Sequence, residues 1–335
     1  MDSSTVRDSR KNVTRDRARP PRARRRPRAL NSRARVVVVM SARAIPRAGA
    51  FVVVLSPAKA MNERPLSAKQ RAIVEALRTT PAFADRASAI AADAAKTLSA
   101  AKIKSLMSVS DAIASLNAKR YAEFEEAPTK EAALCFDGPA FKHLDADSLD
   151  GDGARYLQHH LRVLSGMYGV LRAYDAIAPY RLEMGTRWAP AASKAKDLYE
   201  FWGADIANAL ADDVEALAKV TKTKPFVVNC ASQEYWKAVK VEALAKRGVD
   251  VYTMTFPGPA VHAKQARGAM VRHIVDARVA CPEDLKTFVG TDGCWTFDAG
   301  ASSEFNFVFR RGVAKPKREA PSSSKTTAKK AKSEK

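Results

Sequence analysis

Three short stretches carry side chains of a kind that does chemistry. The first is Ser56-Pro57-Ala58-Lys59, directly after the apolar run Phe51–Leu55. A Ser-x-x-Lys pair serves one class of acyl-enzymes, where both residues sit one turn apart on a helix and the amine reaches the hydroxyl. Here a strand-like run precedes the serine and Pro57 follows it. Proline at a first helical position would make Ser56 an N-cap instead. The companion motifs are also missing: Val109-Ser110-Asp111-Ala112 lacks the Asn of Ser-Asp-Asn, and no Lys-Thr-Gly occurs. The favoured reading is a strand-end turn that presents Lys59 and some backbone N–H groups to a cleft.

The second stretch, LSGMYGVLRAYDAIAPYRLEMGTRW (residues 164–188), gathers spaced glycines with Arg172, Arg181 and Arg187. Glu183 lies two positions after Arg181, so on an extended segment both point to one face. The pair is either part of an anion-binding cleft or an internal ion pair. The third stretch is AKQARGAMVRHIV (residues 263–275). Lys264 and Arg267 are three apart and share a helix face. The next position on that face is Val271, and Arg272 is rotated by about 140° from Arg267, so the basic stripe stops at two residues. Gly268 permits close backbone approach beside the pair. A phosphate would suit these two cations, and an ordinary solvated helix face is the alternative.

Other chemistries find little support. His159 and His160 are adjacent, about 100° apart on a helix, and do not chelate one metal as an i,i+4 pair does. His143, His262 and His273 stand alone, and Cys135, Cys230, Cys281 and Cys294 show no metal-finger spacing. Scattered thiols of this kind fit a reducing compartment. DADSLDGDG (residues 145–153) resembles a calcium loop, but its carboxylate spacing is wrong and no Glu closes it. There is no Gly-x-Gly-x-x-Gly and no P-loop. No metal and no cofactor are expected, and no residue is assigned a catalytic role.

The elements that must position these residues read as mixed α and β. Strands are expected at residues 52–55, 225–232 and 249–256, with two closing strands in CWTF and FNFVFRR. Extended segments are expected at 169–173 and 180–185. Helices are expected at 67–80, 81–98, 155–164, 194–219 and 263–280, with two short ones around Ser108-Val109-Ser110 and another leading to Lys246. Of the 335 residues 46% are apolar, enough for a large core, and no run of 18 apolar residues suggests a membrane span. The fold class is α/β mixed, one domain with a mixed sheet covered by helices.

The net charge of +21 is mostly in the ends. Residues 1–50 carry 15 Lys+Arg and 3 acids, and residues 312–335 carry 8 and 2, which leaves 34 and 31 in residues 51–311. A nucleic-acid interface in the middle therefore has to be a local patch rather than an overall field. The first 50 residues, rich in Arg and Ser and poor in acids, read as an organelle transit peptide or a disordered arm. That points to a plastid or mitochondrion, with cytoplasm or nucleus as the alternative. The last 24 read as a disordered basic tail.

LSPAK, the long run at residues 164–188, KDLYEFWGADI, NCASQEYWKAVK and AKQARGAMVRHIV resemble, in that order, the bacterial peroxide-stress YaaA family. The resemblance spans roughly residues 51–311. It implies a role in surviving hydrogen peroxide, linked to iron homeostasis and less oxidative damage, and a single mixed α/β domain with a basic cleft and a helix-hairpin-helix-like element. It also implies DNA as the partner, with no established reaction. The hairpin element maps to residues 103–124, where a helix N-terminus at Asp111, capped by Ser110, offers amides, Asp111 would repel the phosphate if it pointed inward, and Lys104, Lys119 and Arg120 supply counter-charge. Ser108 and Ser110 stand where such units commonly carry glycine. The family's cleft residues carry over at Ser56, Lys59, Arg181, Glu183, Lys237, Lys264 and Arg267, with Gly185 shaping the Arg181 segment.

Two functions from different classes follow. One is a DNA-binding protein of the peroxide response, gripping backbone phosphates of duplex or distorted DNA without reading sequence. The other is an enzyme acting on a small phosphate- or nucleotide-like ligand in the same cleft, with Arg181, Lys264 and Arg267 as anion clamp and Glu183 as general base.

Overall fold

The apolar run forms the strand expected of it: β1 (Phe51–Leu55) has every residue at most 1% exposed. Neighbouring residues of a strand point to opposite faces, so both faces of the sheet are covered at this position. The computed structural model describes residues 49–312. The transit-peptide and basic-tail expectations fall on residues outside the described ones, apart from Gly49, Ala50 and Gly312.

The other strands of the main sheet are β2 (Leu161–Ser165), β3 (Gly169–Arg172), β4 (Phe226–Cys230), β5 (Asp250–Thr255), β6 (Trp295–Phe297) and β7 (Asn306–Arg311). Their spatial order is β6-β7-β5-β4-β1-β2-β3. The five inner strands run parallel, while β6 and β3 are antiparallel edges. This is the single mixed α/β domain expected, with a seven-stranded mixed sheet. In register, Phe51 lies beside Phe226 and Leu55 beside Cys230, so β1 and β4 end level with each other.

Eight helices matter for the site: α1 (Ala84–Thr97), α2 (Ala100–Met107), α3 (Asp111–Ala122), α4 (Pro139–Leu144), α5 (Gly151–His160), α6 (Asp205–Thr221), α7 (Gln233–Trp236) and α8 (Ala260–Ala277). From β1 the chain crosses to β2 on one side, whereas from β4 it crosses to β5 on the other. Connections that leave two adjacent parallel strands in opposite directions open a crevice at their carboxyl ends, where open α/β sheets bind ligands. Ser56 and Ser232 sit at those two ends.

Three expectations are corrected. The helix expected at 155–164 ends at His160, and Leu161 enters β2. The long helix expected at 194–219 is two, Leu198–Trp202 and α6, separated at Gly203, whose φ of +50° suits glycine. Residues 180–185 are irregular rather than a strand.

The two short helices around Ser108 are α2 and α3, which pack together. Ser108 caps α2 with φ +50° and ψ +54°, the left-handed conformation that glycine adopts without penalty. A Ser108→Gly chain is accordingly expected to gain about 0.5–1 kcal/mol of stability. A urea midpoint that is unchanged or lower would contradict this.

Candidate functional site: a cleft at the carboxyl ends of the central strands

A cavity of about 370 Å³ opens where β1 and β4 end. Five segments distant in sequence build it. The β1 turn brings Ser56 and Lys59, the short strand Phe136–Asp137 before α4 brings Asp137, the irregular segment brings Arg181 and Glu183, the end of β4 and α7 bring Cys230 and Tyr235, and α8 brings Lys264 and Arg267. The six residues singled out from the Ser-Pro-Ala-Lys, Tyr-Arg-Leu-Glu and Ala-Arg-Gly stretches thus line one cavity.

Ser56 ties the two strand ends together. Its Oγ accepts the Ser232 N–H at 2.8 Å and donates to Ser232 Oγ at 3.2 Å. No helix starts at Pro57, and Lys59 Nζ lies 3.5 Å from Glu183 Oε1 rather than against the serine. The serine therefore shapes the turn, and the acyl-enzyme arrangement is absent.

Arg181 Nε and Nη2 both lie 3.0 Å from Glu183 Oε1, the same oxygen that Lys59 approaches. Both partners of the arginine pair are about 15% exposed, so the ion pair is mostly out of water. The other oxygen, Glu183 Oε2, is buried without a hydrogen-bond partner. Tyr121 on α3 donates to the Arg181 carbonyl at 2.5 Å and anchors this segment to the helical hairpin.

Lys264 and Arg267 both reach the cavity from one face of α8, as their spacing requires. Gly268 explains how that helix comes so close: a Cβ there would stand 1.7 Å from the Ala140 carbonyl oxygen on α4. Arg267 Nε is buried and unpartnered, and neither Lys264 nor Arg267 forms an ion pair among the described residues. Burial pulls the Arg267 guanidinium below its ordinary pKa, and the adjacent Cys230 opposes this. Burial pushes the Cys230 thiol up to about 12, with Arg267 pulling the other way, so the thiol stays protonated and is a poor nucleophile. An unsatisfied buried polar atom costs about 1–3 kcal/mol, and Glu183 and Arg267, both in this cavity's wall, each carry one.

The comparisons with known proteins fit this frame. A family model described as "Peroxide stress protein YaaA" matches residues 51–300. The chain belongs to this peroxide stress protein family. A UPF0246 protein of Burkholderia mallei (strain SAVP1) is 42% identical over 271 residues, which cover 78% of this chain and 98% of the relative. A UPF0246 protein of Burkholderia orbicola (strain MC0-3) is 43% identical over 273 residues, covering 78% and 99%.

The remaining residues singled out in this YaaA-family chain lie apart from the cavity wall. Lys104 pairs with Asp111 at 2.9 Å, Lys119 with Glu123 at 3.9 Å, and Arg120 with Glu63. Ser110 caps α3 by accepting the Ile113 N–H at 3.4 Å. Lys237 lies over the Tyr199 ring at 4.7 Å, and the Gly185 N–H donates to Glu234 at 3.1 Å. Sequence reasoning missed other walls of the YaaA-family cleft, among them Asp137, Phe141, Cys230 and Tyr235. The signal for Cys230 was its place at the end of the apolar run in PFVVNCAS, level with Leu55.

Proposed function

We propose that this chain is a DNA-binding protein of the peroxide response, holding backbone phosphates at the cleft and so shielding DNA from peroxide and iron damage. The observation that carries this reading is Arg267. Its guanidinium is partly withdrawn from water beside Lys264, with a buried unpartnered Nε and no ion-pair partner among the described residues. A cation held this way gains most from an anion, and phosphate accepts guanidinium and ammonium hydrogen bonds readily. Family membership supplies the peroxide context. The Arg-rich residues 1–50 are in keeping with delivery to a plastid or mitochondrion.

The basic ends also attract DNA, so the test is a comparison of variants in the full chain. Arg267→Gln and Lys264→Gln are expected to weaken binding about three- to tenfold each, to the same degree on unrelated sequences. Each should also lower the slope of log affinity against log salt by about 0.9, the amount due to one phosphate that the protein no longer neutralises. Fluorescence anisotropy over a salt series reads both quantities on duplex, bulged and branched DNA. If both variants bind like the parent chain, the cleft does not hold DNA and the proposal falls.

A further inference from the structure

The cleft holds more than a phosphate requires. At about 370 Å³ it is of the size that encloses a small molecule and far too small to admit a duplex. A DNA backbone passing over its mouth would reach Lys59, Lys264 and the accessible part of Arg267 and leave the apolar interior empty. That interior is mainly apolar, with Leu55, Ala58, Phe141 and Leu182 in its wall and the rings of Tyr180 and Tyr235 beside them. A bare phosphate would leave this surface wet.

Glu183 is the second mismatch with a simple phosphate site. Its Oε1 is engaged by Arg181 and Lys59, but Oε2 is buried and has no donor. A carboxylate oxygen repels phosphate and accepts from N–H groups, such as the exocyclic amine of cytosine or the N–H edge of guanine. One cavity thus joins an unneutralised cation pair, an apolar wall with aromatic rings, and a carboxylate, Glu183, that has one oxygen without a donor.

We propose that the cleft is a pocket for a single nucleotide unit, with its phosphate at Lys264 and Arg267, its base against the apolar wall, and a base N–H donated to the Glu183 carboxylate. This deepens the DNA-binding reading and rests on its assignment of Lys264 and Arg267 to phosphate. The unit is either a free nucleotide or one that has left the stack of a DNA strand, since a paired base does not reach such a pocket.

The experiment uses the full chain in isothermal titration calorimetry at physiological salt. The probes are the four deoxynucleoside monophosphates, inorganic phosphate, and a short duplex with and without one unpaired nucleotide. At least one monophosphate is expected to bind saturably, about tenfold or more tighter than inorganic phosphate. Glu183→Gln should cut that preference about fivefold or more, because the base meets a neutral amide in place of a carboxylate while inorganic phosphate gains from Arg181 and Lys59, which lose their counter-charge. Lys264→Gln should weaken both ligands, and thermal melting confirms that the variants fold. The duplex with the unpaired nucleotide should bind more tightly than the fully paired duplex if the unit comes from DNA, and equally if the unit is a free nucleotide.

A preference below about twofold for all four monophosphates overturns the proposal, as does an unchanged preference in Glu183→Gln. Fully paired DNA bound through Lys264 and Arg267 with no monophosphate preference would sink this inference and leave the DNA reading standing. Monophosphate binding without cleft-dependent DNA binding would do the reverse.

Discussion

An Asp213→Ala chain is expected to lose about 3 kcal/mol or more of folding stability, the scale of breaking a largely buried ion pair from one side. Asp213 on α6 receives Arg162 Nε at 2.6 Å and Arg172 Nη2 at 3.1 Å. Arg162 and Arg172 face each other across the antiparallel pair β2 and β3. Two like charges directly opposite repel, and the single carboxylate between them removes the conflict. Burial pushes the Asp213 carboxyl up, but the two guanidiniums outweigh it and hold it below the usual carboxylate range. With alanine there, Arg162, whose side chain is 5% exposed, keeps its charge and only the carbonyls of Gln158, His159 and Leu161 as partners. Urea unfolding of Asp213→Ala and Asp213→Asn checks this: Asn retains shape and some hydrogen bonding and should fall between parent and Ala. A loss below about 1 kcal/mol would show the triad to be no more than a surface pair.

Acid should destabilise the fold through two adjacent histidines well before most carboxylates protonate. His160 is stacked between Phe51 and Tyr156, with ring centroids 4.4 and 4.3 Å away. Its Nδ1–H donates to the Phe51 carbonyl at 2.8 Å, while Nε2 is buried with no partner for a second proton. Burial pushes its pKa down to about 3, the Phe51 hydrogen bond opposing only in part. Burial and then the charges of Arg162 and Arg172 push His159 down to about 4. An unfolded histidine titrates near 6.5, so between pH 6.5 and these values the unfolded chain binds more protons than the folded one. Stability is therefore full above about pH 6.5 and falls as the pH drops, by about 3–5 kcal/mol between pH 7 and 4.5 for the two together. A His160→Phe chain loses the carbonyl hydrogen bond at every pH, but its stability should fall by about 2–3 kcal/mol less over that range. Denaturation at the two pH values measures it, and equal losses in parent and variant would refute it.

The pattern of successes and misses along the chain has physical causes. Runs such as Phe51–Leu55 and Phe226–Cys230 are buried on both sides, so consecutive valines next to a phenylalanine announced them. The strand Leu161–Ser165 was hidden because Arg162 interrupts its apolar run, and the residue that buries that charge, Asp213, lies 51 positions away. Gly203 ends a helix through a positive φ, whereas many glycines sit inside helices without ending them. The cleft cations were legible because Ser-Pro-Ala-Lys closes a strand and Lys264 and Arg267 share a helix face. The apolar wall was not, since Phe141 and Tyr235 read as ordinary core until the sheet order brings their segments to the same crevice. The reach of Lys237 likewise depended on Tyr199, whose ring it covers.

The order of the strands has a consequence for how the chain is made. β7 lies between β5 and β6 although it follows both in sequence, and β6 pairs with no other strand of the sheet. The roughly fifty residues separating β5 from β7 take about 3–10 s to synthesise on a ribosome at ~5–20 residues per second. Throughout that interval the outer edge of β5 has its backbone donors and acceptors unmet and open to any passing strand. The nascent chain therefore carries an open strand edge well into its final quarter, while α8, the last of the cleft's segments, is itself still being made.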